Sequence, residues 1–300
     1  MSKKQGNGIC MFVYNNDQLD YTRFAILAAQ YAKRSMNNIS VTAITDDGTL
    51  GWMQDAHGDA TVDKSFDNIV IDNVTHEQNM RKHMDSPWTE FNAQFHNSNK
   101  HDVHKLTPYE RTLLIDTDYL LMNNDYAYLF DSDVNVGMHR YAVYLGGDAP
   151  YRNEVSLNDA GINHWWSTVV YFDQSDESKM FFDIWSHVKD NWEYYSLLYQ
   201  FPKQLFRTDF CVSVASHMMN GMNNGDTIHD FCNWPLINMD QKDDIAKVND
   251  YADVVFIKHD RKEQWKNILV RQQKQNLHVM NKRALDRHYD DFLSKLEQHV

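Results

Sequence analysis

A strand-helix-strand pattern within the first fifty residues constrains this chain more than any other feature. Residues 9–14 form a continuous apolar run of β-prone side chains that stops at Asn15, Asn16 and Asp17, the signature of a buried strand running into a loop. Residues 22–35 follow as a helix, and the stretch Phe24, Ala25, Ile26, Leu27, Ala28, Ala29 is apolar nearly all round, as expected of a helix packed on a sheet. Residues 39–44 supply a second strand, closing on a turn at Asp46, Asp47 and Gly48. Such a unit implies parallel strands joined by a right-handed crossover. The fold class is therefore α/β, with a mostly parallel, Rossmann-like sheet flanked by helices.

Farther along, strands are expected at 69–71, 112–116, 141–145, 169–172 and 254–258, and helices at 88–95, 177–188 and 208–219, with a closing amphipathic helix at 282–296. No internal repeat or low-complexity tract interrupts the 300 residues, and five Pro and eleven Gly leave little material for a linker. One domain spanning 1–300, with 258–300 as a basic C-terminal segment, is the simplest organisation.

No apolar run approaches the roughly 20 residues of a membrane helix, and residues 1–7 are polar and basic, unlike a secretory leader. A cytoplasmic protein without membrane partners is expected. Cys10, Cys211 and Cys232 are odd in number and widely spaced, which argues for reduced thiols rather than a disulfide framework or zinc knuckle. The net charge of −13 disfavours a broad nucleic-acid surface. Between Lys258 and Arg287, however, nine basic residues face three acidic ones, a local balance of +6 that leaves −19 on the rest of the chain. That segment suits a phosphate group, or is a solvated basic face.

Chemistry concentrates after the strand at 112–116. Leu113, Leu114, Ile115, Asp116, Thr117, Asp118 sets two carboxylates at i and i+2, a spacing that turns both side chains to one side of extended backbone. The carboxyl ends of strands in an open α/β sheet are where ligands bind. Two carboxylates so close repel each other unless a cation lies between them, which points to a divalent metal able to neutralise a diphosphate. The same pair would also serve simply to cap the strand and start a turn.

The stretch from Lys105 through Thr107, Pro108, Tyr109, Arg111 and the apolar strand to Asp116 and Asp118 resembles the D-x-D region of glycosyltransferase family 8, the glycogenin-like retaining enzymes. Leu129 and Phe130 fit a downstream leucine-phenylalanine pair of that family. Val13, Tyr14, Asn15, Asn16, Asp17 and Tyr21 look like its first strand and nucleoside-contacting loop, and Arg207, Thr208, Asp209, Phe210 stand where it has a D-Q motif. Small glycosyltransferase-like proteins of tailed bacteriophages are similar in appearance, through T-P-Y, R-x-D and H-x-x-x-K motifs.

The resemblance implies a GT-A fold and a metal-dependent transfer of a sugar from a nucleotide sugar, uridine diphosphate (UDP)-linked, to an acceptor hydroxyl. It implies Mn2+ or Mg2+ on Asp116, Asp118 and a C-terminal histidine. His278, followed by Lys282 in H-x-x-x-K, is favoured, and His259, at the end of a strand and before Arg261 and Lys262, is the rival. Tyr14, Asn15, Asn16, Tyr21, Lys105, Arg111, Asp116 and Lys282 would hold the donor, and Asp209 would act at the reacting sugar. The basic segment 258–300 would close the donor site. Trp165 or Trp166 could stack on a sugar or base, Asp46 and Asp47 could contact ribose, and Asp209 could equally be only a helix cap.

A phage-like protein would work in the host cytoplasm, with a hydroxymethylated pyrimidine in DNA as an acceptor. Trp166, Ser167 and Thr168 in place of N-S-G, and Phe210 in place of the D-Q glutamine, depart from the family. Those departures keep a catalytically silent sugar-nucleotide binder open. A haloacid-dehalogenase-type phosphatase also begins from D-x-D, but Leu120 stands where that family has Thr or Val.

Overall fold

The structure is a computed structural model that describes residues 4–16, 18–73, 79–95, 97–149, 156–157, 161–201, 206–231, 234–260, 263 and 266–298. Asp17, Cys232, Arg261 and Lys262, named above, lie outside the described residues.

The chain opens with β1 (Asn7–Phe12), α1 (Tyr21–Ser35) and β2 (Ser40–Thr45), the βαβ unit expected from the sequence. Helices α2 (Asp47–His57) and α3 (Asp59–Ser65) and strand β3 (Asn68–Ile71) follow, then a hairpin of β4 (Asn79–Met84) and β5 (Glu90–Phe95), and after it α4 (Val103–Leu106) and β6 (Arg111–Ile115). Short strands β7 (Tyr119–Leu120), β8 (Val136–His139), β9 (Ala142–Tyr144), β10 (Ser156–Leu157) and β11 (Ile162–Asn163) lead to the long β12 (Trp166–Phe172). Helices α5 (Asp176–Asp190), α6 (Trp192–Leu198) and α7 (Thr208–Met219) precede β13 (His229–Asp230) and β14 (Leu236–Met239). A meander of β15 (Asp244–Asp250), β16 (Asp253–His259) and β17 (Asn267–Gln273) then gives way to β18 (Leu277–Val279), α8 (Lys282–Arg287) and α9 (Tyr289–Glu297).

Seven strands make the main sheet in the order β13-β8-β12-β6-β1-β2-β3. β3, β2, β1 and β6 run parallel, and β12 enters antiparallel between β6 and β8. The sheet is thus mixed and mostly parallel, the α/β class read from the sequence. Alternation along β1 divides the interior. Ile9, Met11 and Val13 pack with α1 on one face, while Cys10, Phe12 and Tyr14 pack toward α5 and α7 on the other. Cys10 and Cys211 are buried free thiols. Among the described residues no helix is long and apolar enough to cross a membrane.

Several local expectations are corrected. Residues 88–95, read as a helix, hold β5, paired antiparallel with β4 from Asn79↔Phe95 to Met84↔Glu90. The apolar residues Phe91, Ala93 and Phe95 alternate with Glu90, Asn92 and Gln94, and period two wins once a partner strand is present. Asp46 does not merely make a turn. Its side chain accepts from the Thr49 amide at 2.6 Å and caps α2. The last helix is two, because the chain breaks at His288 between α8 and α9. In a second sheet, β7-β18-β14-β9, only β9 has a counterpart in the sequence, the strand expected at 141–145.

Candidate functional site

Asp118 lies within a turn rather than on extended strand. β6 ends at Ile115, and the Tyr119 amide donates to the Asp116 carbonyl at 3.1 Å, closing a turn that carries both acids. The Asp116 amide donates to the Thr168 carbonyl of β12 at 3.1 Å. The turn hands the chain from the main sheet to the second one, where β7 pairs with β18 in the register Tyr119↔His278. The Val279 amide completes the link by donating to the Asp118 carbonyl at 2.9 Å.

This register brings His278 to the acids. One ligand atom from each of Asp116, Asp118 and His278 lies within 4.8 Å of the others, and His278 Nε2 is 3.2 Å from Asp118 Oδ2. His278 Nδ1 lies 2.9 Å from Asn238 Oδ1 on the adjacent β14, so the ring donates there and turns the Nε2 lone pair toward the carboxylates. Burial lowers the His278 pKa to about 4, against the opposing charges of Asp116 and Asp209, which keeps the imidazole neutral as a metal ligand must be. Two carboxylates and one oriented imidazole fit a divalent cation such as Mn2+. His259 is elsewhere. Its amide donates to Asp243 Oδ1 at 2.8 Å and its ring centroid is 6.0 Å from that of Trp88.

If Asn238 sets the tautomer of His278, Asn238→Ala should weaken Mn2+ binding by roughly 10- to 100-fold. Titration calorimetry on the folded variant checks this, and an unchanged affinity would show that the ring needs no such partner.

Cations crowd the acids. Lys282, the first residue of α8, contacts Asp118 Oδ2, and Lys100 contacts Asp116 Oδ1 while donating to the Ser167 carbonyl at 3.2 Å. Burial lowers the Lys282 pKa to about 7, aided by the charge of Arg81 and opposed by that of Asp116. These groups line a cavity of about 710 Å³ that also receives Arg81, Lys82 and His83 from β4 and Arg207 from the start of α7.

Asp209 also lines the cavity but does not cap its helix. Its Oδ1 accepts from the Ser167 amide at 2.9 Å and from Ser167 Oγ at 2.7 Å, across to β12. Burial pushes the Asp209 pKa up, yet Arg207, His164 and the Ser167 bonds outweigh it and hold the group at about 2. A carboxyl depressed from 3.8 contributes stability that is complete above about pH 4 and lost as pH falls toward 2. Acid unfolding of Asp209→Asn should therefore depend less steeply on pH across that window, and an unchanged slope would count against this coupling.

The remaining sequence candidates divide. Tyr14, Asn16 and Tyr21 line the cavity, with the Tyr14 hydroxyl 3.2 Å from Asp72 Oδ2 and Asn16 Nδ2 donating to the Gln94 carbonyl at 3.1 Å. Asn15 is not part of the lining. Its Oδ1 accepts from the Tyr21 amide at 2.9 Å, at the start of α1. Lys105 is exposed and 3.5 Å from Asp102, and Arg111 donates to the Phe130 carbonyl, so neither lines the cavity. Lys100 occupies the position beside the acids instead. Trp166 lines the cavity and stacks on His164 at 4.8 Å, whereas Trp165 faces the opposite core. Within the basic C-terminal segment, Lys258, Arg271 and Arg287 pair with Asp148, Asp253 and Asp85, and among the described residues Lys282 is its only Lys or Arg that lines the cavity. Lys100, Arg81 and Arg207 escaped the sequence reading as site residues, since the first two lie in a polar stretch without periodicity and Arg207 reads as a residue flanking a helix.

No protein-family model matches the chain, and no curated protein matches it. Among solved structures it is similar to the glycosyltransferase GlyE of Streptococcus pneumoniae TIGR4, at 11% identity and a TM-score of 0.41, over 75% of this chain and 46% of that one. The chain thus spans about half the length of GlyE. It is also similar to the galactosyltransferase LgtC in complex with donor and acceptor sugar analogues, at 9% identity and a TM-score of 0.43, over 70% of each chain. A third similar structure is mouse xyloside xylosyltransferase 1 in its apo form, at 14% identity and a TM-score of 0.43, over 78% of this chain and 87% of that one.

Proposed function

We propose that this chain is a GT-A type, metal-dependent glycosyltransferase that moves a sugar from a nucleotide diphosphate sugar, UDP-linked, to an acceptor hydroxyl. The observation that carries this reading is the cluster of Asp116, Asp118 and His278 in a large cavity ringed by Arg81, Lys100, Arg207 and Lys282. Asp116, Asp118 and His278 would hold Mn2+ or Mg2+, which when bound neutralises negative charge on a departing diphosphate. Lys282 and Arg81 supply charge-assisted hydrogen bonds to phosphate oxygens. Tyr14, Asn16 and Tyr21 offer an aromatic and amide wall for the nucleoside. Asp209, held ionised, can accept a hydrogen bond from a sugar or acceptor hydroxyl but cannot serve as a proton donor near neutral pH.

Incubation with a panel of nucleotide sugars and Mn2+ tests the reading. Metal-dependent release of nucleoside diphosphate supports it. Tight binding without turnover would instead favour the silent binder, and inorganic phosphate from a phosphomonoester would favour the phosphatase. Acceptor class follows from salt: a hydroxymethylated pyrimidine in DNA, as in the phage-like reading, predicts activity falling steeply with ionic strength, and a small acceptor does not.

A further inference from the structure

The β4–β5 hairpin contributes Arg81, His83 and Asn92 to the cavity, yet it belongs to neither large sheet and pairs as a two-stranded unit. Such a hairpin is marginal in water by itself. Its position therefore depends on its attachments: besides the Asn16 Nδ2 bond to the Gln94 carbonyl at its open end, these cluster at and beside its turn. Arg287 Nη1 donates to Asp85 Oδ1 at 2.8 Å and Oδ2 at 3.0 Å, and Asn281 Nδ2 donates to the Asp85 carbonyl at 3.1 Å. The Met84 amide donates to Gln241 Oε1 at 2.8 Å, and the Arg283 guanidinium lies 3.9 Å from the Phe91 ring centroid. Asn281, Arg283 and Arg287 all belong to α8 or its cap, the helix that begins with Lys282. The Arg287 guanidinium also reaches Asp244 Oδ1 at 2.9 Å, so it bridges the hairpin to β15.

We propose that Asp85 and Arg287 are positioning residues. Although neither lines the cavity, their clamp holds the hairpin wall in place relative to Lys282 and so governs how long a ligand is retained. For the identity of the ligand this rests on the donor-site reading above; the clamp itself does not. A single exposed ion pair contributes little to global stability. Here it acts on an element of low intrinsic stability, where the population of local openings responds directly.

Hydrogen exchange on the full chain, compared with release of UDP in the presence of Mn2+, tests the clamp. In Arg287→Met the amides of residues 79–95 should exchange roughly 3- to 10-fold faster while the main sheet is unchanged. Arg287→Lys should recover part of the protection, and Arg271→Met, which breaks the Asp253 pair on the meander, should leave the hairpin as it was. UDP dissociation should accelerate in Arg287→Met by a similar factor. Unchanged hairpin exchange would overturn the clamp, and faster exchange with unchanged UDP release would overturn its role in retention. If Arg287→Met loosens the whole domain, Asp85→Asn gives the same comparison with the Arg287–Asp244 pair intact. A wild-type protein that binds no nucleotide would sink the donor reading, and the exchange comparison would still decide the clamp.

Discussion

Asp118→Asn is expected to reduce Mn2+-dependent binding of UDP by roughly a thousandfold, about 4 kcal/mol at 1.4 kcal/mol per decade. Asp118 is the member of the cluster in contact with both His278 and Lys282, and its backbone is held to β18. The amide side chain keeps the shape but gives up the charge a divalent ion requires. Removing a buried carboxylate from beside a buried ammonium is ordinarily severe for stability. Lys282 limits that cost here, since a pKa already near 7 lets it respond by losing its proton. The variant should therefore fold, which circular dichroism would verify, and calorimetry with Mn2+ alone, beside that with UDP and Mn2+, would separate loss of the metal site from loss of the Lys282 charge. Retained metal-dependent affinity would remove the foundation of the proposed function.

A second large effect is expected far from the site. In Gly8→Ala the new Cβ would lie 2.2–2.5 Å from three atoms of the Tyr109 ring, closer than any real contact. That ring cannot yield easily, because its hydroxyl is bonded to Ser40 Oγ and Thr42 Oγ1 at 2.8 Å and to Asn68 Nδ2 at 3.3 Å, across the parallel strands β2 and β3. Overpacking of this kind should cost about 3 kcal/mol. Urea unfolding would show a lower midpoint at unchanged slope. Combining Gly8→Ala with Tyr109→Leu should restore part of the loss, because the pair interacts directly. Full additivity of the two substitutions would show that the clash is relieved elsewhere.

Some of this architecture is written locally. The run from Ile9 into Tyr14, the apolar helix after it and the strand ending at Ile115 are legible because burial on both faces of a parallel strand leaves a continuous apolar stretch. The helix at Thr208–Met219 has the bounds its pattern predicts. By contrast, the region of residues 46–104 is poorly legible apart from the strand expected at 69–71, which is β3. Its helix α2 buries only Thr49 and Met53, and its hairpin alternates over just six residues per strand, so the local signal is weak until tertiary partners are present.

The site follows the same division. The amino-acid sequence by itself determined which residues could bind a cation, an acidic pair after an apolar strand and a histidine followed by lysine, because those depend on side-chain chemistry and short spacing. It could not determine that His278 rather than His259 meets the pair, that Lys100 rather than Lys105 stands beside Asp116, or that a hairpin brings Arg81 into the cavity. The Lys100 choice rests on the bond from its Nζ to the Ser167 carbonyl of β12; the other two rest on the pairing of β7 with β18 and on the docking of the hairpin against α8. Both are contacts across more than 150 residues of chain, set by backbone hydrogen bonds and packing that leave no periodic mark on either segment.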